Sequence, residues 1–150
     1  MVTKNNIAEN INIKDIHLIH VNSRREPVPP AENAKVDISC EPVIEPHQQE
    51  KKHFTIICKF NLGIHDEDKD VYLMKMAAEY CVVYEINDTI EQVRNNDSVA
   101  LVNSAVFNCW PSFRELVHRL VIDAGLPAFI LPTLTEKKLK EFTIKHIDGL

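Results

Sequence analysis

The stretch Trp110–Thr135, WPSFRELVHRLVIDAGLPAFILPTLT, decides how the chain is read. Phe113, Leu116, Val117, Leu120 and Val121 stand at i, i+3, i+4, i+7 and i+8, the spacing of one apolar stripe along a helix. Arg114, Glu115, His118 and Arg119 take the other side. Pro111 is expected in the first turn, where its missing N–H is not needed. Gly125 follows the last periodic residues, the place of a left-handed cap residue. The next seven residues, LPAFILP, hold two prolines and are neither helix interior nor central strand. A segment that apolar must lie on an apolar surface.

Upstream of this helix the periodicity changes from helical to alternating. Ile11–Val21 is rich in β-branched residues and reads as a strand, with Ile16 and Leu18 on one face and Ile19 and Val21 on the other. A strand apolar on both faces is central, or is covered by another subunit. Asn22–Asn33 is a Pro-rich crossover. Lys35–Cys40 alternates as a second strand, and Glu41–Lys52 is a long polar turn. Phe54, Ile56, Cys58, Phe60 and Leu62 alternate with polar residues in a third strand. Gly63–Asp70 reads as a hairpin loop. Val71–Ile86 is a long fourth strand whose even positions, from Tyr72 to Ile86, are apolar. Asp88 and Glu91 have the spacing of a capping box, and Val99, Val102, Val106 and Cys109 form a helical stripe running into Trp110. The residues from Thr135 to His146 read as a last helix, capped by Thr133 or Thr135 and weakly anchored by Leu139, Phe142 and Ile144. Strands first and helices after give an α+β class: an antiparallel sheet with helices packed on one face.

Composition narrows the function. The chain has 150 residues, 45% hydrophobic and 26% charged, as expected of one globular domain, with residues 1–10 frayed. A net charge of −5 argues against binding nucleic acid through phosphates. Three glycines cannot build a phosphate-cradling loop. No apolar run reads as a signal core or a membrane span, so the expected place is the cytoplasm. Cys40, Cys58, Cys81 and Cys109 form no CxxC pair and are expected as buried thiols.

Catalytic and metal-binding patterns are missing, and neither cofactor nor enzyme activity is expected. His17 and His20, three apart on a strand, are expected on opposite faces. Asp66, Asp68 and Asp70 imitate the start of a calcium loop but lack its Gly and its final Glu. There is no GxSxG and no HExxH. Val28, Leu126, Phe129, Leu131, Leu134, Leu139 and Phe142 stand on loops and on the poorly anchored helix, and are expected to line a groove for extended polypeptide.

In layout the chain resembles the SecB-type export chaperones, from about Asn10 to the last helix. The resemblance rests on Trp110-Pro111 with Arg114-Glu115, then Ala124-Gly125-Leu126-Pro127, then Leu131-Pro132, in order. It implies a four-stranded antiparallel sheet with two main helices. It also implies a homotetramer built as a dimer of dimers, and ATP-independent holding of unfolded polypeptides. Two departures stand out. Asn22–Asn33 is short and lacks the aromatic residues that line the family's groove. The family docks the export motor ATPase, SecA, on an acidic sheet surface; Arg24, Arg25 and Lys75 stand where acids are expected, while Glu79 shares the alternation of Lys75. Docking on that motor is therefore expected to be weakened. A chaperone dedicated to one client, as in a toxin–antitoxin module, and a purely structural oligomer are the competing readings.

Overall fold

A computed structural model describes residues 11–29, 31, 33–46, 53–86 and 90–143, with the side chains of 11, 46, 86, 90–99 and 140–143 outside that description. The expected fraying of residues 1–10 also lies outside it. Four strands, β1 (Ile11–Arg25), β2 (Ala34–Pro46), β3 (His53–Asp66) and β4 (Val71–Ile86), form one antiparallel sheet in the order β1-β4-β3-β2. Two helices follow, α1 (Ile90–Asp123) and α2 (Glu136–Thr143).

The core is the contact between α1 and one face of the sheet. Phe54, Ile56, Cys58, Phe60 and Leu62 of β3 are buried with Met74, Met76, Ala78, Tyr80, Val82 and Tyr84 of β4. From α1, Val102, Val106, Cys109, Phe113, Val117 and Val121 close on them. The Phe60 and Phe113 rings stack at 4.4 Å and 12°, fixing the helix over the centre of the sheet. Leu120, the other member of the stripe, is half-buried at its margin.

Several elements depart from the sequence reading. Pro111 is not in a first turn; α1 is one helix of 34 residues that runs through it. An interior proline costs roughly 3 kcal/mol. Here the apolar stripes before and after it are both buried on the sheet, which outweighs that cost. Pro111 and Phe107, whose carbonyl its ring displaces, both lie on the exposed side. The stripe of Val102 and Val106 therefore packs inside its own chain. β2 does not end at Cys40: it continues through Pro42, which an edge strand tolerates because one side of it has no ladder to complete. Gly63 is likewise inside β3, and only Glu67–Asp70 turn.

β-Bulges account for the other departures. Register shifts between Ile13 and Asp15, and between Leu18 and His20, insert Lys14 and Ile19 into β1. Ile13, Ile16, Leu18 and Val21 consequently oppose Tyr84, Val82, Tyr80 and Ala78, all on the helix side. Val21 thus shares a face with Ile16 and Leu18. His17 and His20, opposite Cys81 and Glu79, share the outer face rather than opposite ones. A third shift leaves Leu73 unpaired between Tyr72 and Met74. Leu73 turns into the core, and Tyr72 leaves the apolar face and is exposed.

Candidate functional site: an apolar cleft under the Leu126–Thr135 loop

The loop that follows α1 begins with a cap. Gly125 has φ 73°, its N–H donates to Ile122 O, and Leu126 N–H donates to Val121 O. Both bonds together form a Schellman motif, which turns the chain sharply off the helix. Two α1 side chains then hold the loop. Trp110 Nε1 donates to Pro132 O at 3.0 Å, and His118 Nδ1 donates to Phe129 O at 3.2 Å. Thr135 caps α2, its Oγ1 accepting from Lys138 N–H at 3.3 Å.

Between these pins the side chains divide into anchors and lining. Leu126, Leu131 and Leu134 are buried in the core, as is Leu139 of α2. Phe129 and Val28 are half-buried against it, and Ile130 is 62% exposed. Opposite the loop, Arg25 clamps the crossover to the sheet: its guanidinium donates to the carbonyls of Glu26, Val28 and Leu73. The result is a cleft of about 400 Å³ whose walls include Ala31, Ala34, Val36, Ile64, Leu126 and Phe129.

Of the residues expected in the groove, Leu126 and Phe129 line this cleft. Leu131, Leu134 and Leu139 are its buried supports rather than its surface. Val28 is half-buried against the core but is not part of the cleft's lining. The side chain of Phe142 lies outside the described residues. The rest of the lining was missed: Ala31, Ala34, Val36, Ile64 and Leu73, with Pro127 and Ala128 of the loop. Ile64 fell in a stretch read as loop, and Leu73 lay on the wrong parity until the bulge is known. The three alanines, Ala31, Ala34 and Ala128, make room by being small, which no periodicity signals.

The outer sheet face holds the other expected group. Arg24 and Lys75 oppose each other there, both exposed, and half-buried Glu79 lies 3.8 Å from Lys59 Nζ. The acidic turn serves itself. Buried Asp66 accepts from Asp68 and Lys69 N–H, and Asp70 meets His65 Nε2 at 2.9 Å. Among the described residues no group of His, Cys, Asp and Glu is arranged to hold a metal. The four cysteines are free; Cys40, Cys58 and Cys109 are buried and Cys81 is half-buried. No helix among the described residues is long and apolar enough to cross a membrane.

No family model matches the sequence, and no curated protein matches it. Solved structures do match the fold. A SecB-like chaperone of Mycobacterium tuberculosis, in complex with a peptide from an antitoxin, superposes with a TM-score of 0.70. The match covers 86% of this chain and 94% of that one at 18% identity. A protein of unknown function from Streptococcus agalactiae covers 81% and 96% at 10% identity, with a TM-score of 0.47. The four-stranded antiparallel sheet with a long helix packed across one face matches the fold of that SecB-like chaperone.

Proposed function

We propose that this chain is a chaperone that holds unfolded polypeptides without ATP and without reaction chemistry. The observation that carries this reading is the apolar cleft under the Leu126–Thr135 loop, built on the fold of a chaperone that binds a peptide. Holding needs only apolar area that excludes water, at roughly 25 cal/mol per Å². A client leucine or phenylalanine seated beside Phe129 and Ile130 would contribute about 2 kcal/mol, so a few such contacts along an extended segment give useful affinity. The protein works as a cytoplasmic homotetramer, a dimer of dimers, and docks only weakly on the export motor because Arg24 and Lys75 replace acids.

The test is suppression of aggregation of an unfolded client, with and without ATP. Phe129→Asp with Ile130→Asp should abolish it, since both side chains reach the surface, while circular dichroism and sedimentation stay as in the wild type. Full activity of that variant, or a requirement for ATP, refutes the reading. A second reading, a chaperone dedicated to one client, is favoured by the antitoxin peptide seated on the M. tuberculosis protein and by the crossover's lack of aromatic residues. Tight binding of one co-purifying polypeptide with no effect on unrelated clients would select it.

A further inference from the structure

The outer face of the sheet, away from α1, carries a second cleft of about 400 Å³ that the client site does not use. One row of its floor crosses every strand: Asp37 opposes Gly63, Gly63 opposes Lys75, and Lys75 opposes Arg24. The next row is Ser39, Asn61, Ala77 and Asn22. Like charges placed directly opposite on neighbouring strands repel, so the Arg24–Lys75 pair is unfavourable for the sheet alone. Neighbouring groups neutralise it only in part. Lys75 has no carboxylate partner among the described residues; its Nζ lies 4.4 Å from the centroid of the Tyr72 ring. Arg24 gives Nε to Glu26 at 2.7 Å, but its side chain is 76% exposed.

Tyr72 is in this cleft because of two local features. The bulge at Leu73 turns it onto the outer face, and Gly63 leaves room beneath it. A Cβ at Gly63 would come within 2.7 Å of Tyr72 Cε1. His65 flanks the ring at 4.9 Å between centroids. The row therefore reads anion, aromatic ring, cation, cation.

We propose that this cleft docks an acidic polypeptide segment. One of its carboxylates sits between Arg24 and Lys75, and a neighbouring apolar side chain lies on Tyr72. Asn22, Ser39 and Asn61 offer donors and acceptors to its backbone, and Asp37 accepts an amide or a basic group further along. A polypeptide fits better than a nucleic acid, because Asp37 repels a continuous polyanion that crosses the row. It also fits better than a free anion, because both cations are exposed and hydrated. The charge complementarity would show mainly in salt dependence and specificity. This surface is separate from the client cleft and does not depend on the holding function.

A capped peptide alternating Glu and Ala is the probe, its methyl groups too small to give the apolar client cleft useful affinity, titrated calorimetrically at low and at physiological ionic strength. The wild type should bind it, more weakly as salt rises, and should ignore the same peptide with Lys for Glu. Arg24→Glu with Lys75→Glu should weaken binding at least about tenfold, and Tyr72→Ala several-fold. Phe129→Asp should leave it unchanged, which locates the peptide outside the client cleft. Circular dichroism confirms that each variant folds; all three outer-face side chains are exposed. No wild-type binding, equal binding by the double reversal, or equal binding of the Lys peptide overturns the proposal. Inorganic phosphate or a single-stranded oligonucleotide binding as tightly as the peptide overturns it too.

Discussion

Cys58 sits at the centre of a thiol group that also holds Cys40 and Cys109, on the buried contact between sheet and helix. At Cys58 the hydrogen bond with Cys109 acts downward and is outweighed by the one with Cys40 and by burial, so the thiol lies well above its ordinary range. At Cys109 the bond with Cys58 and burial both push upward. Burial also raises Tyr80 and Tyr84 to about 12. In each case the fold favours the neutral form, so the sign of the pH effect is fixed. Stability from these groups is complete below their unfolded values, 9.0 for the thiols and 10.0 for the tyrosines, and is lost as pH rises above them. Urea midpoints should therefore hold steady to about pH 8.5 and fall steadily from about pH 9 to about pH 11. A midpoint that stays flat across that range would contradict this packing. The burial of Cys58 and Cys109 was legible in the sequence, since both fall on apolar periodicities. Their mutual contact was not, because it joins β3 to α1 across a separation that no local pattern encodes.

At the scale of elements, period and punctuation carried different amounts of information. From Phe54 to Leu62 the core face of β3 was legible because its alternation meets no irregularity before Ile64, although Thr55, on the other parity, is buried as well. β1 and β4 were legible as strands but not in their facing. A single inserted residue reverses every side chain beyond it, and the bulges at Lys14, Ile19 and Leu73 have no composition of their own. That is why His17 and His20 share a face, why Tyr72 reaches the outer cleft, and why part of the apolar cleft went unseen. Pro111 misled in the opposite sense: a strong local stop signal was overridden by burial on both sides of it. The override can be measured. Pro111→Ala restores an N–H toward the Phe107 carbonyl on the exposed side of α1, and the ring that is lost is itself exposed. The substitution should stabilise the protein by about 1–3 kcal/mol, seen as a higher melting temperature and urea midpoint. An unchanged or lower midpoint would mean that the proline fits a bend the sheet requires.

Among the described residues, apolar surface remains that the helices do not reach. α1 lies over β2, β3 and β4 and barely extends to β1. The bulges nevertheless bring Ile13, Leu18 and Val21 to the helix side of that edge strand, where they stay 41–44% exposed. Beside them a trench of about 260 Å³ runs between Ile16, Leu18 and Tyr80 on the sheet and Ser112, Leu116 and Arg119 on α1. Phe107 and Ile122 add exposed apolar area along α1. A second copy related by a two-fold axis would bury each of these side chains twice. Fully covering the three β1 residues in both copies yields about 10 kcal/mol, within the roughly 4–15 kcal/mol that association costs. β1 alone therefore makes a marginal interface, and a stable one also needs Phe107 and Ile122. Sedimentation at micromolar concentration should accordingly show an oligomer. Leu18→Asp with Val21→Asp should dissociate it, with circular dichroism unchanged because neither side chain is in the core. Ile122→Asp alone should weaken it less, shifting the midpoint to higher concentration. A wild type that sediments as a monomer, or an oligomer indifferent to the β1 pair, would place the contact elsewhere and leave the edge of the sheet without a partner.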